Sequence, residues 1–198
     1  MREWVLYRRP GDILPARITH LEPFGAFVDI GCGIVSLLTV DCISVSRIAH
    51  PSERLTPGES IMAIVKSIDY ESGRVYMTHR ELLGTWEENA SHFAPAQTVS
   101  GIVRSIEPYG IFVELSPNLA GLAEYKEDAA VGQTAAVYIK NILPDRMKIK
   151  LVLIDACCSA PAPRTPLRFY IDTVAIKHLA RWRYSPMRSP RVIETVFD

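Results

Sequence analysis

"EPFGAFVDI" occupies residues 22–30, and "EPYGIFVEL" occupies residues 107–115, so that Glu22 and Glu107 open one phrase written twice. Successive side chains on a strand point to opposite faces. Ala26, Val28 and Ile30 therefore share one face, with Phe27 and Asp29 on the other. The second copy sorts in the same way, with Ile111, Val113 and Leu115 inward and Phe112 and Glu114 outward. An aromatic ring that shares a face with a carboxylate is expected to meet water.

Each phrase opens a longer repeat. A glycine-apolar stretch follows, Gly33-Ile34-Val35 or Gly121-Leu122-Ala123, and then a turn ending in glycine, Pro57-Gly58 or Val131-Gly132. A β-rich run comes next ("IVKSI" at residues 64–68, "YIKNI" at 138–142), and residues 74–78 or 148–152 supply a last alternating strand. Short alternating runs punctuated by Gly and Pro argue for small barrels. The chain reads as all-β, with two five-stranded antiparallel OB-type Greek-key barrels in tandem over residues 10–84 and 95–155. Leu82, Leu83, Trp86, Ala90 and Phe93 fall at helical spacing, which predicts a short linking helix over 85–94. "ACCSAPAPRTP" reads as a linker over 156–166. A small β-rich C-terminal extension, 167–198, follows, with strands expected at 167–172 and 191–197 around the aromatic-basic "RWRYSP".

With 198 residues and 48% hydrophobic content the chain can bury real cores. No apolar run approaches the roughly 20 residues that cross a bilayer, and residues 1–4 do not open a secretory signal; a cytoplasmic protein with no membrane partner is expected. The four cysteines, Cys32, Cys42, Cys157 and Cys158, form no CxxC pair, and no His stands at zinc-site spacing, so neither a disulfide framework nor a metal site is expected. Net charge is zero, but basic charge gathers at the ends, +2 over residues 1–10 and +4 over 156–198.

Alternation through the later strands extends the outward set. In the first barrel it holds Phe24, Phe27, Ile64, Lys66, Arg74 and Tyr76; in the second, Arg104, Tyr109, Phe112, Tyr138, Lys140, Lys148 and Lys150. Rings flanked by cations make a stacking platform with a phosphate track, the composition that single-stranded nucleic acid requires. The alternative is that the rings cap the barrels or dock a protein.

On these residues the chain resembles the S-one RNA-binding domain family. The resemblance rests on "FGAFVD" (residues 24–29), Pro57-Gly58, and Asp69 followed by Gly73-Arg74; it recurs as "YGIFVE" (109–114) with Val131-Gly132. "SRIAHPSE" (46–53) is similar to a segment of repeats in the small-subunit ribosomal protein that gives the family its name. The resemblance implies five-stranded OB barrels that bind single-stranded RNA, with Phe24, Phe27, Asp69 and Arg74 in the first surface and Tyr109, Phe112 and Lys148 in the second. Many members carry a histidine where this chain has Ser36 and Glu124, and the second copy has a shorter connection between Gly121 and Gly132.

Other chemistry is weak. The five histidines are scattered, and His50 before Pro51 reads as a turn residue. Asp69 and Glu71 lie in a turn where Asp commonly holds the backbone. The function expected is therefore non-enzymatic and needs no cofactor: single-stranded RNA binding in translation, with mRNA or rRNA and the small ribosomal subunit as partners. The alternative is a docking module within a ribonucleoprotein.

Overall fold

The computed structural model describes residues 7–161 and 166–198, with backbone alone for 157–161. The first unit comprises residues up to Gly84 with Arg168–Arg183 and Glu194–Asp198; the second comprises Thr85–Leu167 and Tyr184–Ile193.

In the first unit β1 (Ile13–Glu22), β2 (Gly25–Asp29), β3 (Val35–Thr39), β4 (Ser60–Asp69) and β5 (Arg74–Thr78) close into a barrel in the order β1-β2-β3-β5-β4. In the second, α1 (Trp86–Ala90) precedes β6 (Thr98–Glu107), β7 (Gly110–Ser116), β8 (Leu119–Ala123), β9 (Gln133–Leu143) and β10 (Lys148–Pro161), closed in the equivalent order. The barrels are not wholly antiparallel: β3 pairs with β5, and β8 with β10, in parallel. Five strands around a ring cannot alternate direction throughout, so one neighbouring pair must run the same way.

The alternation read from the repeated phrase packs as expected at its apolar positions, though not at Glu114. Ala26 and Val28 are fully buried inside the first barrel, as are Ile111 and Val113 inside the second, while Phe27 and Phe112 stay partly exposed. Each fully buried Val, Leu or Ile contributes about 1.5–3 kcal/mol. The glycine of each phrase has a steric cause. A Cβ on Gly25 would meet the Leu38 carbonyl oxygen at 2.4 Å, and one on Gly110 would meet that of Ala123 at 2.5 Å. Only glycine lets β2 and β7 start this close to the neighbouring strand.

Both barrels carry bulges at matching places. The β1–β2 register shifts between Ile18 and His20, and the β6–β7 register between Val103 and Ser105. A second pair falls on Lys66, between Val65 and Ser67, and on Lys140, between the Asn141↔Lys150 and Ile139↔Leu151 pairs. A bulge bends the strand, which helps a small sheet close, and re-aims the extra side chain.

α1 starts at a capping box: the Thr85 hydroxyl accepts from the Glu88 amide at 3.2 Å, and the Glu88 carboxylate accepts from the Thr85 amide at 2.7 Å. It is five residues long, and Leu82 and Leu83 lie outside it in a 3-10 turn, Arg80–Leu83. The helix is thus shorter than the spacing of apolar residues predicts.

Three further expectations are corrected. Ile64, read as outward, is fully buried, because it forms a cluster with Ile13 and Leu82 against which Phe169, Ile171, Leu179 and Phe197 of the C-terminal extension pack. The linker expected over 156–166 begins as strand: β10 runs to Pro161, its backbone pairing with β9, and residues 162–165 lie outside those described, as do the side chains of Cys157 and Cys158. The strands of the extension are β11 (Arg181–Arg183) and β12 (Glu194–Val196), whereas residues 167–172 form no strand. That first segment is held by packing, with the Phe169 ring edge-on to His79 at 5.5 Å, and by the Tyr170 amide donating to the Leu82 carbonyl.

Candidate nucleic-acid interface

On the outer face of the first barrel three strands align one residue each: Phe27 of β2 is opposite Leu37 of β3, and Leu37 is opposite Tyr76 of β5. Phe24 lies in the β1–β2 turn, 53% exposed, with its ring edge-on to Phe27 at 6.0 Å. The bulge in β1 brings His20 opposite Phe27, where the two rings stack at 6.3 Å with 23° between their planes. Sequence reading missed His20, because simple alternation gives no warning of the inserted residue.

The cations expected beside these rings are partly engaged. The Lys66 ammonium lies 3.1 Å from the Cys42 sulfur. Burial pushes the neighbouring Asp41 carboxyl up, but the Thr39 hydrogen bond and the positive charge of Lys66 outweigh it and hold the group below the usual carboxylate range. Asp69 accepts from the Glu71 and Ser72 amides and from the Ser72 hydroxyl, and these bonds, with the nearby Arg74 charge, lower its pKa. Its carboxylate shapes the β4–β5 turn. His50 behaves likewise: its Nδ1 accepts from the Ser52 amide while Glu53 accepts from the His50 amide, so the His-Pro-Ser-Glu segment is a capped 3-10 turn.

The second barrel repeats the row with different chemistry. Phe112 of β7 is opposite Leu122 of β8, which is opposite Lys150 of β10. Tyr109 is 68% exposed, its ring edge-on to Phe112 at 6.2 Å and 87°. These residues line an open groove of about 580 Å³ together with Lys140, Arg146 and Lys148. All four cations, counting Lys150, are exposed. Glu124 is the one carboxylate among the lining residues, and Arg191 also reaches the groove. Arg146 and Arg191 were not singled out by sequence: Arg146 lies in a 3-10 turn, and Arg191, at the start of an expected strand, lies in a loop ahead of β12.

Two expected members fall outside the groove. Tyr138 is exposed but does not line it. Arg104 is corrected more sharply. Its Nε lies 2.6 Å from the Glu114 carboxylate, and the two side chains are 9% and 1% exposed. Glu114, read as outward, is therefore buried. Arg104 is the extra residue of the β6 bulge, which turns the guanidinium onto the neighbouring strand and away from solvent.

Among the described residues no group of three or more His, Cys, Asp or Glu could hold a metal ion, and no helix is long and apolar enough to cross a membrane.

Closed five-stranded barrels of this order, each with an outward aromatic pair over a polar face, define an OB-fold protein. The profile of the S1 RNA binding domain matches residues 7–80, the whole of the first barrel. Residues 7–80 are thus an S1 RNA binding domain, and the second barrel repeats its fold. It is 31% identical over 149 residues to small ribosomal subunit protein bS1 of Leuconostoc lactis, an alignment covering 73% of this chain and 33% of that protein. A bS1 homolog of Bacillus cereus is 30% identical over 158 residues, covering 78% of this chain and 40% of the relative. The chain thus spans about a third of the length of the curated relatives it matches. Among solved structures, GSP13 from Bacillus subtilis is 20% identical in an alignment covering 51% of this chain and 66% of that one, with a TM-score of 0.35.

Proposed function

We propose that the protein binds single-stranded RNA, with the second barrel as the stronger site. One observation carries this reading: a single groove is lined by the Tyr109–Phe112 pair and by Lys140, Arg146 and Lys148. Unstacked bases lie on rings whatever their sequence, and the cations track the backbone. Low sequence preference and salt-sensitive affinity follow. The first barrel offers rings with fewer uncommitted cations, since Lys66 is close to Cys42 and Asp41, and it contributes stacking through Phe24, Phe27 and His20.

The relatives' names, small ribosomal subunit proteins, support a place beside that subunit, and the reading extends this to translation in the cytoplasm, with mRNA or rRNA as the bound strand. The engaged Lys66 favours a second reading for the first barrel alone, that it docks a protein of the same ribonucleoprotein.

The test is fluorescence anisotropy of a labelled oligouridylate at two salt concentrations, with an RNA duplex as control. Preferential, salt-sensitive binding of the single strand is expected. Phe112→Ala with Tyr109→Ala should weaken it by about 1–3 kcal/mol per lost stack. Absence of binding at low salt would transfer the argument to protein docking.

A further inference from the structure

The segment Tyr184–Ile193 belongs to the second unit although it follows the barrel by some distance in sequence. It folds back on itself. The Tyr184 amide donates to the Ile193 carbonyl at 2.9 Å, the Ile193 amide to the Ser185 hydroxyl at 2.7 Å, and the Ser189 amide to the Pro186 carbonyl at 3.0 Å. It is also fastened down. The Tyr184 hydroxyl donates to the carbonyl of Asn118, in the β7–β8 turn, and the Trp86 amide donates to the Tyr184 carbonyl. Tyr184, Ser185 and Ser189 are buried, 4–6% exposed. The loop is thus a seated element with its exposed tip held by buried polar contacts.

Two arginines stand on the exposed part of that loop, and they differ in one respect. Arg191 lines the groove beside Lys148 and Lys150; Arg188 does not. The Arg191 amide, donating to the Ser189 hydroxyl at 3.3 Å, fixes the backbone from which its guanidinium extends. A guanidinium at the rim of an aromatic and lysine-lined groove can take a phosphate oxygen pair through its planar donor fork, which an ammonium cannot.

We infer that the C-terminal loop is a built part of the RNA site, and that Arg191 supplies a backbone-phosphate contact that the barrel by itself lacks. This rests on the groove being the RNA-binding surface. It also gives the C-terminal extension a role, since one of the basic residues gathered there, Arg191, lines the groove of the second barrel.

The experiment compares the full chain with Arg191→Ala and Arg188→Ala, titrating a labelled oligouridylate of ~12 nucleotides over a range of salt. Both substitutions remove one positive charge from the same exposed loop, so net charge is matched. The expected result is that Arg191→Ala lowers the slope of log K against log salt by about 0.7, one phosphate contact on a single strand, while Arg188→Ala leaves it at the wild-type value. A wild-type slope in Arg191→Ala would overturn the inference and leave the groove intact. Equal losses in both variants would also overturn it, since the loop would then act only as diffuse charge. Wild-type protein that shows no salt-sensitive binding would remove the groove itself, and the inference with it.

Discussion

Replacing Arg104 separates two roles that the sequence alone cannot tell apart. If the guanidinium contacts phosphate, Arg104→Ala weakens RNA binding and leaves the barrel stable. The structure predicts the reverse. The side chain is 9% exposed and lies 2.6 Å from a Glu114 carboxylate that is 1% exposed. Deleting one partner of a buried pair leaves the other charge without compensation, at a cost of about 3–5 kcal/mol. Against a typical stability of about 5–15 kcal/mol, and at about 4–8 °C per kcal/mol for a domain of this size, the second unit should melt roughly 12–40 °C lower. Arg104→Met with Glu114→Leu removes both charges and keeps most of the volume, so it should melt near the wild type or above it. Thermal denaturation followed by circular dichroism, with hydrogen exchange at β6 and β7 amides to assign the transition, reads both outcomes. An Arg104→Ala protein that melts within about 2 °C of wild type while losing about 0.7 of its salt slope would refute the reasoning and return Arg104 to the interface.

Other outcomes follow from the same contacts. Lys148→Ala should lower the salt slope by about 0.7 with an unchanged melting temperature, because its ammonium is exposed at the groove; a slope equal to wild type in the same titration takes it out of the interface. His79 is buried with its Nδ1 2.7 Å from the Met62 carbonyl, and burial pushes its pKa down to about 4 from 6.5. The unfolded chain therefore takes up the proton first. Stability is intact above the unfolded value and declines as pH falls towards 4, by on the order of 3 kcal/mol. His79→Gln should flatten that dependence in urea titrations, and parallel curves for the two proteins would rule the group out. His178 is shifted the other way, raised by its bonds to Asp12 and then Asp198. Its stabilisation is present below the ordinary imidazole value and lost as pH rises through the folded one. Asp12→Asn should move its ring-proton NMR titration downward, and an unmoved midpoint would deny the pairing.

The strand phrases at residues 22–30 and 107–115 announce two barrels because hydrophobic alternation is a local property: a period of two can bury only one face of a strand. The inward apolar set of the two phrases, the strand count of the barrels, the exposed Tyr109 and the half-buried Phe27 and Phe112 were legible for that reason. So was the need for glycine in each phrase, though its cause, a carbonyl of the neighbouring strand 2.4–2.5 Å from a would-be Cβ, requires the sheet.

What tertiary structure alone decided lies where alternation breaks or another segment arrives. A bulge inserts one residue without a sequence signature, and it brings His20 to Phe27 and Arg104 to Glu114. Ile64 is buried by the C-terminal extension, and Arg191 reaches the groove from residues that follow the barrel. The sequence by itself determined two barrels with aromatic outer faces, since these follow from neighbours along the chain. Which cations share a groove with the rings, and which pair off in the interior, depends on segments far apart in sequence, and only folding brings those together.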